Sequence, residues 1–179
     1  IQEIGIPLGF YTSQWLANFY LTSLDHYIKE QLNVKYYVRY MDDMVIFGGN
    51  KRELHSIRDK IEEYLNDVLG LQMKDNWQVF KIEYEDSNGQ LHGRPLDFMG
   101  FKFYRNRTVL RRNIMLRASR KARKLSKKSR ITIYDCRQLL AYIGWISATD
   151  VYGFYQEWIK PYVDIGYLKK RISYYDRRH

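Results

Sequence analysis

The stretch Tyr37-Val38-Arg39-Tyr40-Met41-Asp42-Asp43-Met44-Val45-Ile46-Phe47 decides how this chain is read. Short β-prone runs, Lys35 to Arg39 and Met44 to Phe47, flank Tyr40-Met41-Asp42-Asp43, and Gly48-Gly49 closes the second run. The pattern predicts a β-hairpin with two carboxylates at its tip. Adjacent aspartates repel each other and Asp is a poor strand residue. A divalent cation removes that repulsion, and a site with one or two carboxylates plus phosphate oxygens suits Mg²⁺. Taken alone, an Asp-Asp pair is also read as a turn that happens to use Asp.

Upstream, Gly5-Ile6-Pro7-Leu8-Gly9 is a loop, and Thr12-Ser13 can cap a helix over about 12–32 with Leu16, Tyr20, Leu24 and Tyr27/Ile28 at helical spacing. Downstream, Asn50 and Glu53 form a capping-box pattern before Leu54, Ile57, Ile61, Leu65 and Val68, and Gly70 ends that helix. Strand-like runs follow at 78–84 and 96–104, separated by Glu85-Asp86-Ser87-Asn88-Gly89. The fold class is α+β. From about Arg112 the period becomes helical: a basic helix over 114–128, one carrying Leu139, Leu140, Ile143 and Ile146, and one over 151–163 ending near Pro161. A boundary is expected near 110–113, where composition and period change together.

Charge is divided just as sharply. Of the 179 residues, 1–100 carry 10 Lys+Arg and 15 Asp+Glu, whereas 101–179 carry 20 and 5. Between Lys102 and Arg130 there are 13 basic residues and no acidic one, a density that favours a polyanion, nucleic acid before membrane. The bland alternative is a solvated basic helix. With Cys136 as the single cysteine, internal disulfides and Cys-based zinc sites are excluded, and a reducing, cytoplasmic home is the default. No stretch approaches the roughly 20 apolar residues of a membrane span. The chain opens Ile1-Gln2-Glu3 rather than with Met, which leads to the expectation of a piece of a longer protein. His26, His55, His92 and His179 lack ligand spacing.

The central string resembles the Tyr-x-Asp-Asp motif of reverse transcriptases. Gly5 to Gly9, then Thr12-Ser13-Gln14, then Ala17-Asn18 is similar to that family's Gly-x-Pro-x-Gly, Ser and Asn block, and Leu96 to Phe103 resembles its primer-gripping Phe-Leu-Gly-Phe/Tyr block. The resemblance implies a polymerase palm over 1–111, partial because the first carboxylate motif and the fingers are missing, and a basic helical thumb over 112–179. It implies that Asp42 binds catalytic metal, Mg²⁺ or else Mn²⁺, with Asp43 in support. Tyr40 and Met41 would lie near the primer terminus, Gly9 and Phe10 under the incoming nucleotide and template base, and Ser13 and Gln14 against the template. Ser13 also reads as a simple helix cap. Phe98, Met99, Gly100 and Phe101 would grip the primer. Arg111, Arg112, Arg117, Arg120, Lys121, Arg123, Lys124, Lys127 and Lys128 are candidates for phosphate contacts, about half of them on any one helix face.

Implied partners are an RNA template, a DNA primer and deoxynucleoside triphosphates, with an accessory RNA or protein of the parent element. Departures exist: Leu8 stands where many relatives have Gln, and Gln14 where they have Pro. The subfamily stays open among diversity-generating, defence-associated, retron and group II intron-like types. The family's Lys after the second helix aligns with Trp77, with Lys74 and Lys81 nearby. Without the upstream Asp, these 179 residues alone are expected not to polymerise. The rivals are a catalytically silent nucleic-acid-binding protein on the same scaffold and a nucleotidyl cyclase-like palm. Tyr142, Trp145, Tyr152, Tyr155 and Trp158 read first as helical core and second as base-stacking residues.

Overall fold

Strands β1 (Tyr36–Tyr40) and β2 (Asp43–Phe47) pair antiparallel in a computed structural model that describes residues 9–178, with Tyr40 opposite Asp43. The hairpin matches the sequence reading to within a residue at each end. Gly5 to Leu8 of the upstream loop lie outside the described residues. The fold is α+β, and the chain divides into two units, Ile1–Phe80 and Lys81–His179.

In the first unit the helix expected over 12–32 is three pieces: α1 (Tyr11–Tyr20), α2 (Thr22–His26) and a π-helical turn (Tyr27–Gln31). The break after Tyr20 has a local cause, because the Thr22 hydroxyl donates to the Asn18 carbonyl and competes with the backbone ladder. Phe10, not Thr12 or Ser13, is the N-cap, so the cap reading of Ser13 is wrong. Leu24 and Ile28 are buried as expected, whereas Leu16 and Tyr20 are exposed. Helix α3 (Lys51–Asp67) is capped by Asn50, whose Oδ1 accepts the Arg52 N–H at 2.9 Å, not by the expected box with Glu53. Its end closes at Gly70, in the left-handed region at φ +60°, with the Leu71 N–H on the Leu65 carbonyl. Ile61, Leu65 and Leu69 enter the core, and Val68 does not. Burying Leu24, Ile28, Ile61 and Leu65 together under the inner face of the hairpin is what fixes that hairpin in place.

In the second unit the strand expected over 78–84 is absent apart from β3 (Tyr84–Glu85), which pairs with β4 (Leu91–His92). The expected strand 96–104 is two strands, β5 (Leu96–Phe98) and β6 (Phe101–Phe103), followed by β7 (Thr108–Leu110) in one antiparallel sheet. Helices α4 (Arg112–Ser126), α5 (Ile133–Ser147), α6 (Tyr152–Trp158) and α7 (Ile165–Asp176) follow. The helix expected to run to Pro161 stops at Trp158, a 3₁₀ turn over Lys160–Tyr162 takes up the proline, and α7 was not anticipated. Ala118 and Ala122 let α4 approach α5, and Leu125, Leu139, Ile146, Ile159 and Leu168 fill the core. The Thr108 N–H donates to the Asp150 carboxylate and the Asp150 N–H to the Thr108 carbonyl, each at 2.8 Å, joining β7 to the segment after α5.

Candidate active site and nucleic-acid surfaces

Alternation along β1 puts Tyr36, Val38 and Tyr40 outward and Tyr37 and Arg39 inward. An arginine facing a core needs a partner, and Asp25 of α2 provides it. Arg39 Nε and Nη2 donate to the two Asp25 oxygens at 2.8 and 2.5 Å, and the Tyr37 hydroxyl donates to Oδ1 at 2.7 Å. Burial pushes the Asp25 carboxyl up, but the bonds from Arg39 and Tyr37 outweigh it and hold it below its ordinary value. Tyr37 is pushed well above the usual phenol range by burial and by its bond to Asp25.

The remaining Arg39 nitrogen reaches the hairpin tip. Nη1 donates to the Met41 carbonyl and to Asn18 Oδ1, both at 3.0 Å, and Asn18 Nδ2 lies 3.4 Å from Met41 Sδ. Met41 sits at φ +54°, a left-handed conformation that a side chain of this size adopts only at a cost of about 1 kcal/mol. The Arg39, Asn18 and Asp25 contacts hold it there. Sequence reasoning did not find this network; the available signal was a charge at an inward strand position.

Asp42 follows Met41 at the tip and is exposed, as is Asp43. Lys74 Nζ donates to Asp42 Oδ2 at 2.8 Å, which lowers the carboxyl and raises the ammonium. Lys74, one of the two lysines near the expected position, thus meets a carboxylate of the hairpin tip. Gly9 has φ +102° with open space where a Cβ would stand, so its conformation, not crowding, selects glycine. Phe10 is largely exposed beside it, and Ser13 and Gln14 lie in the first turns of α1.

In the second unit, Met99 and Gly100 are the two central residues of the β5–β6 turn, both with positive φ, +52° and +89°. That is the turn type matching strand twist, here built with Met in a place where Asn is usual. Met99 is 46% exposed while Phe98 and Phe101 are partly buried. A Cβ on Gly100 would come within 2.9 Å of Ile114 Cδ1, so α4 packs directly on the turn.

Arg111 is the N-cap residue of α4. Its N–H donates to the Gly100 carbonyl at 2.9 Å and its Nε to Asp97 at 2.5 Å. Lys121 and Lys128 donate at 2.8 and 2.6 Å to the two oxygens of Asp135, a residue only 4% exposed that also accepts from Thr132. Bonds from Lys121 and Lys128 hold this carboxyl far below the usual range. These three expected phosphate contacts are therefore engaged within the protein. Arg112, Arg117, Arg120, Lys124 and Lys127 are exposed and make no ion pair with any described residue. At 100° per residue Arg112, Arg117, Arg120 and Lys124 fall within about 140° around α4, a stripe about 18 Å long at 1.5 Å per residue, and Lys127 is the C-cap just beyond it.

Residues 1–103 match the family described as reverse transcriptase (RNA-dependent DNA polymerase). The chain belongs to the reverse transcriptase family. The family's activity is RNA-directed DNA synthesis by nucleotidyl transfer, with a nucleic-acid template and primer, deoxynucleotide substrates and divalent metal ions. The match includes the carboxylate hairpin, α3 and the Met99-Gly100 turn, and stops short of α4. No curated protein matches the chain. Among the described residues no helix is long and apolar enough to cross a membrane.

The residues present fit a hard divalent ion as a reverse transcriptase would use it. Two exposed carboxylates stand together, and no third His, Cys, Asp or Glu joins them among the described residues. Two carboxylates are an all-oxygen donor pair of the kind a hard divalent ion takes, and one of their oxygens, Asp42 Oδ2, is bonded to Lys74 Nζ.

Proposed function

We propose that this chain provides the catalytic hairpin, primer grip and thumb of an RNA-directed DNA polymerase, with a palm over 1–111 and a thumb over 112–179. The observation that carries this reading is the Asp42-Asp43 tip, held by Arg39, Asn18 and Asp25, in a chain of this family. Asp42 and Asp43 would hold the metal, Mg²⁺ or Mn²⁺, which when bound activates the attacking 3′-hydroxyl and stabilises charge on the transferring phosphate.

The protein's own residues do the positioning. Tyr40 and Met41 flank the carboxylates where a primer terminus must lie. Gly9 and Phe10 offer backbone and a ring face to the nascent base pair, with Ser13 and Gln14 toward the template. Met99, a large exposed apolar side chain kept in a strained turn, is the contact of the Phe98 to Phe101 grip, since strain of this kind persists where function uses it. Arg112, Arg117, Arg120 and Lys124, with Lys127 beside them, bind phosphates without reading sequence. Arg111, Lys121 and Lys128 serve this surface indirectly, as internal ties. Lys74 neutralises Asp42 and carries a proton at Nζ within reach of the reaction.

Primer extension on an RNA template tests the reading, comparing this chain with an upstream-extended one, each beside its Asp42→Ala variant. Extension by the longer chain, abolished by the substitution, is expected, with the 179 residues alone silent. Silence from both, with salt-sensitive duplex binding retained, would leave a binding protein on a polymerase scaffold.

A further inference from the structure

Helix α7 carries a second cationic surface whose chemistry differs from that of α4. Its apolar side, Leu168 with Ile172, packs into the core. On the outward side Tyr167 and Tyr174 stand two turns apart, Arg171 lies between them half-buried, and Arg178 follows in the turn just after the helix. Tyr167 is 47% and Tyr174 58% exposed. Neither ring is loose: Arg171 Nη1 donates to the Tyr167 hydroxyl at 3.0 Å, and the Arg178 guanidinium lies 4.3 Å from the Tyr174 ring centroid.

Exposed Lys169, Lys170 and Arg177 border the stripe. The acid of this helix, Asp176, is paired with Arg137 of α5 at 2.6 Å, so it does not offset that charge. Aromatic planes fixed by guanidinium groups, in a positive field, are what unpaired bases require: stacking for the base and cations for its phosphates. A duplex has no use for the rings, because its bases already stack on each other. The outward face of α4 differs in its own residues, with Arg112, Arg117, Arg120 and Lys124 exposed and no aromatic residue in the helix; the rings near its other cations, Tyr134 by Lys121 and Trp158 by Arg123, come from α5 and α6.

We infer that α7 binds a single strand of RNA by stacking bases on Tyr167 and Tyr174, separately from the duplex surface of α4. The inference rests on the polymerase reading for the source of that strand, the unpaired part of the template. The stacking chemistry is independent of it.

Fluorescence anisotropy of the 179-residue protein tests it, with an unstructured labelled 20-nucleotide RNA beside a 20-base-pair RNA–DNA duplex. Replacing both rings, Tyr167→Leu with Tyr174→Leu, keeps charge and helix propensity. It is expected to weaken single-strand binding at least tenfold and duplex binding less than twofold. Tyr167→Phe with Tyr174→Phe keeps both rings and restores single-strand binding. In the unaltered protein, 4-thiouridine RNA is expected to crosslink within residues 165–178. Unchanged single-strand affinity in the leucine pair, equal loss for both probes, failure of the phenylalanine pair, or crosslinks confined to α4 would each overturn the inference. The polymerase reading stands or falls elsewhere, on Asp42-dependent extension.

Discussion

Asp25→Ala removes the carboxylate that receives three hydrogen bonds from Arg39 and Tyr37. The Arg39 side chain is 10% exposed and that of Asp25 31%. Breaking a fully buried pair costs about 3–5 kcal/mol, and partial access of water to the vacated site reduces this, so about 2–3 kcal/mol is expected. The loss falls on the hairpin, because the same guanidinium holds the Met41 carbonyl and Asn18. Amide exchange at Val38, Arg39 and Tyr40, read by NMR, is therefore expected to accelerate by roughly 30-fold to 160-fold. Arg39→Lys is expected to loosen the hairpin as well, since an ammonium lacks the planar fork that meets four acceptor atoms. Asp25 is held below its ordinary value, so its stabilisation is fully present above about pH 4 and is lost as pH falls through the depressed folded value. The variant accordingly has a flatter acid limb. Hairpin protection unchanged within a factor of two would refute the assignment of the tip's conformation to this network.

Asp135→Asn frees Lys121 and Lys128 and is expected to destabilise the second unit by about 2 kcal/mol in urea unfolding, because both lysines can turn to water. The wild-type carboxyl is held far below its usual range, so this contribution is present above pH 4 and disappears only at still lower pH, a limb the variant lacks. Met99→Asn gives the Asn-Gly pair this turn prefers and is expected to raise stability by about 0.5–1 kcal/mol while weakening capture of a primer terminus, measured by thermal unfolding and by extension in the longer protein. Changing Arg120, Lys124 and Lys127 together to Gln is expected to lower the slope of log K against log salt for duplex binding by nearly three. An unchanged slope would place the duplex on another surface.

The hairpin was legible because its signal is local: alternating β-prone residues around a polar pair. Helix α3 was legible for a similar reason, its apolar period and Asn50 agreeing. The run from Leu96 to Tyr104 misled because Met at the first turn position hides a reversal that Gly100 alone does not announce. Leu16 and Tyr20 show that an apolar period identifies a helix without saying which part of it finds a core. At the candidate site, Asp42, Asp43 and the Phe98 to Phe101 block were visible as motifs. The partners that hold them are dispersed: Asp25 and Asn18 lie 14 and 21 residues from Arg39, and Lys74 lies 32 from Asp42. Lys121 and Lys128 counted as surface charge until Asp135 claimed them, since a sequence lists charges without their pairing.

Arg111 sets a mechanical constraint. Its backbone caps α4, its N–H is bound to the Gly100 carbonyl and its side chain to Asp97 two residues before Met99. Sliding α4 against the turn by one nucleotide step, about 3 Å, would break both bonds. Helix α4 and the methionine turn therefore move as one body, and under the proposed function a duplex lying along α4 would keep its register with the turn as it advances.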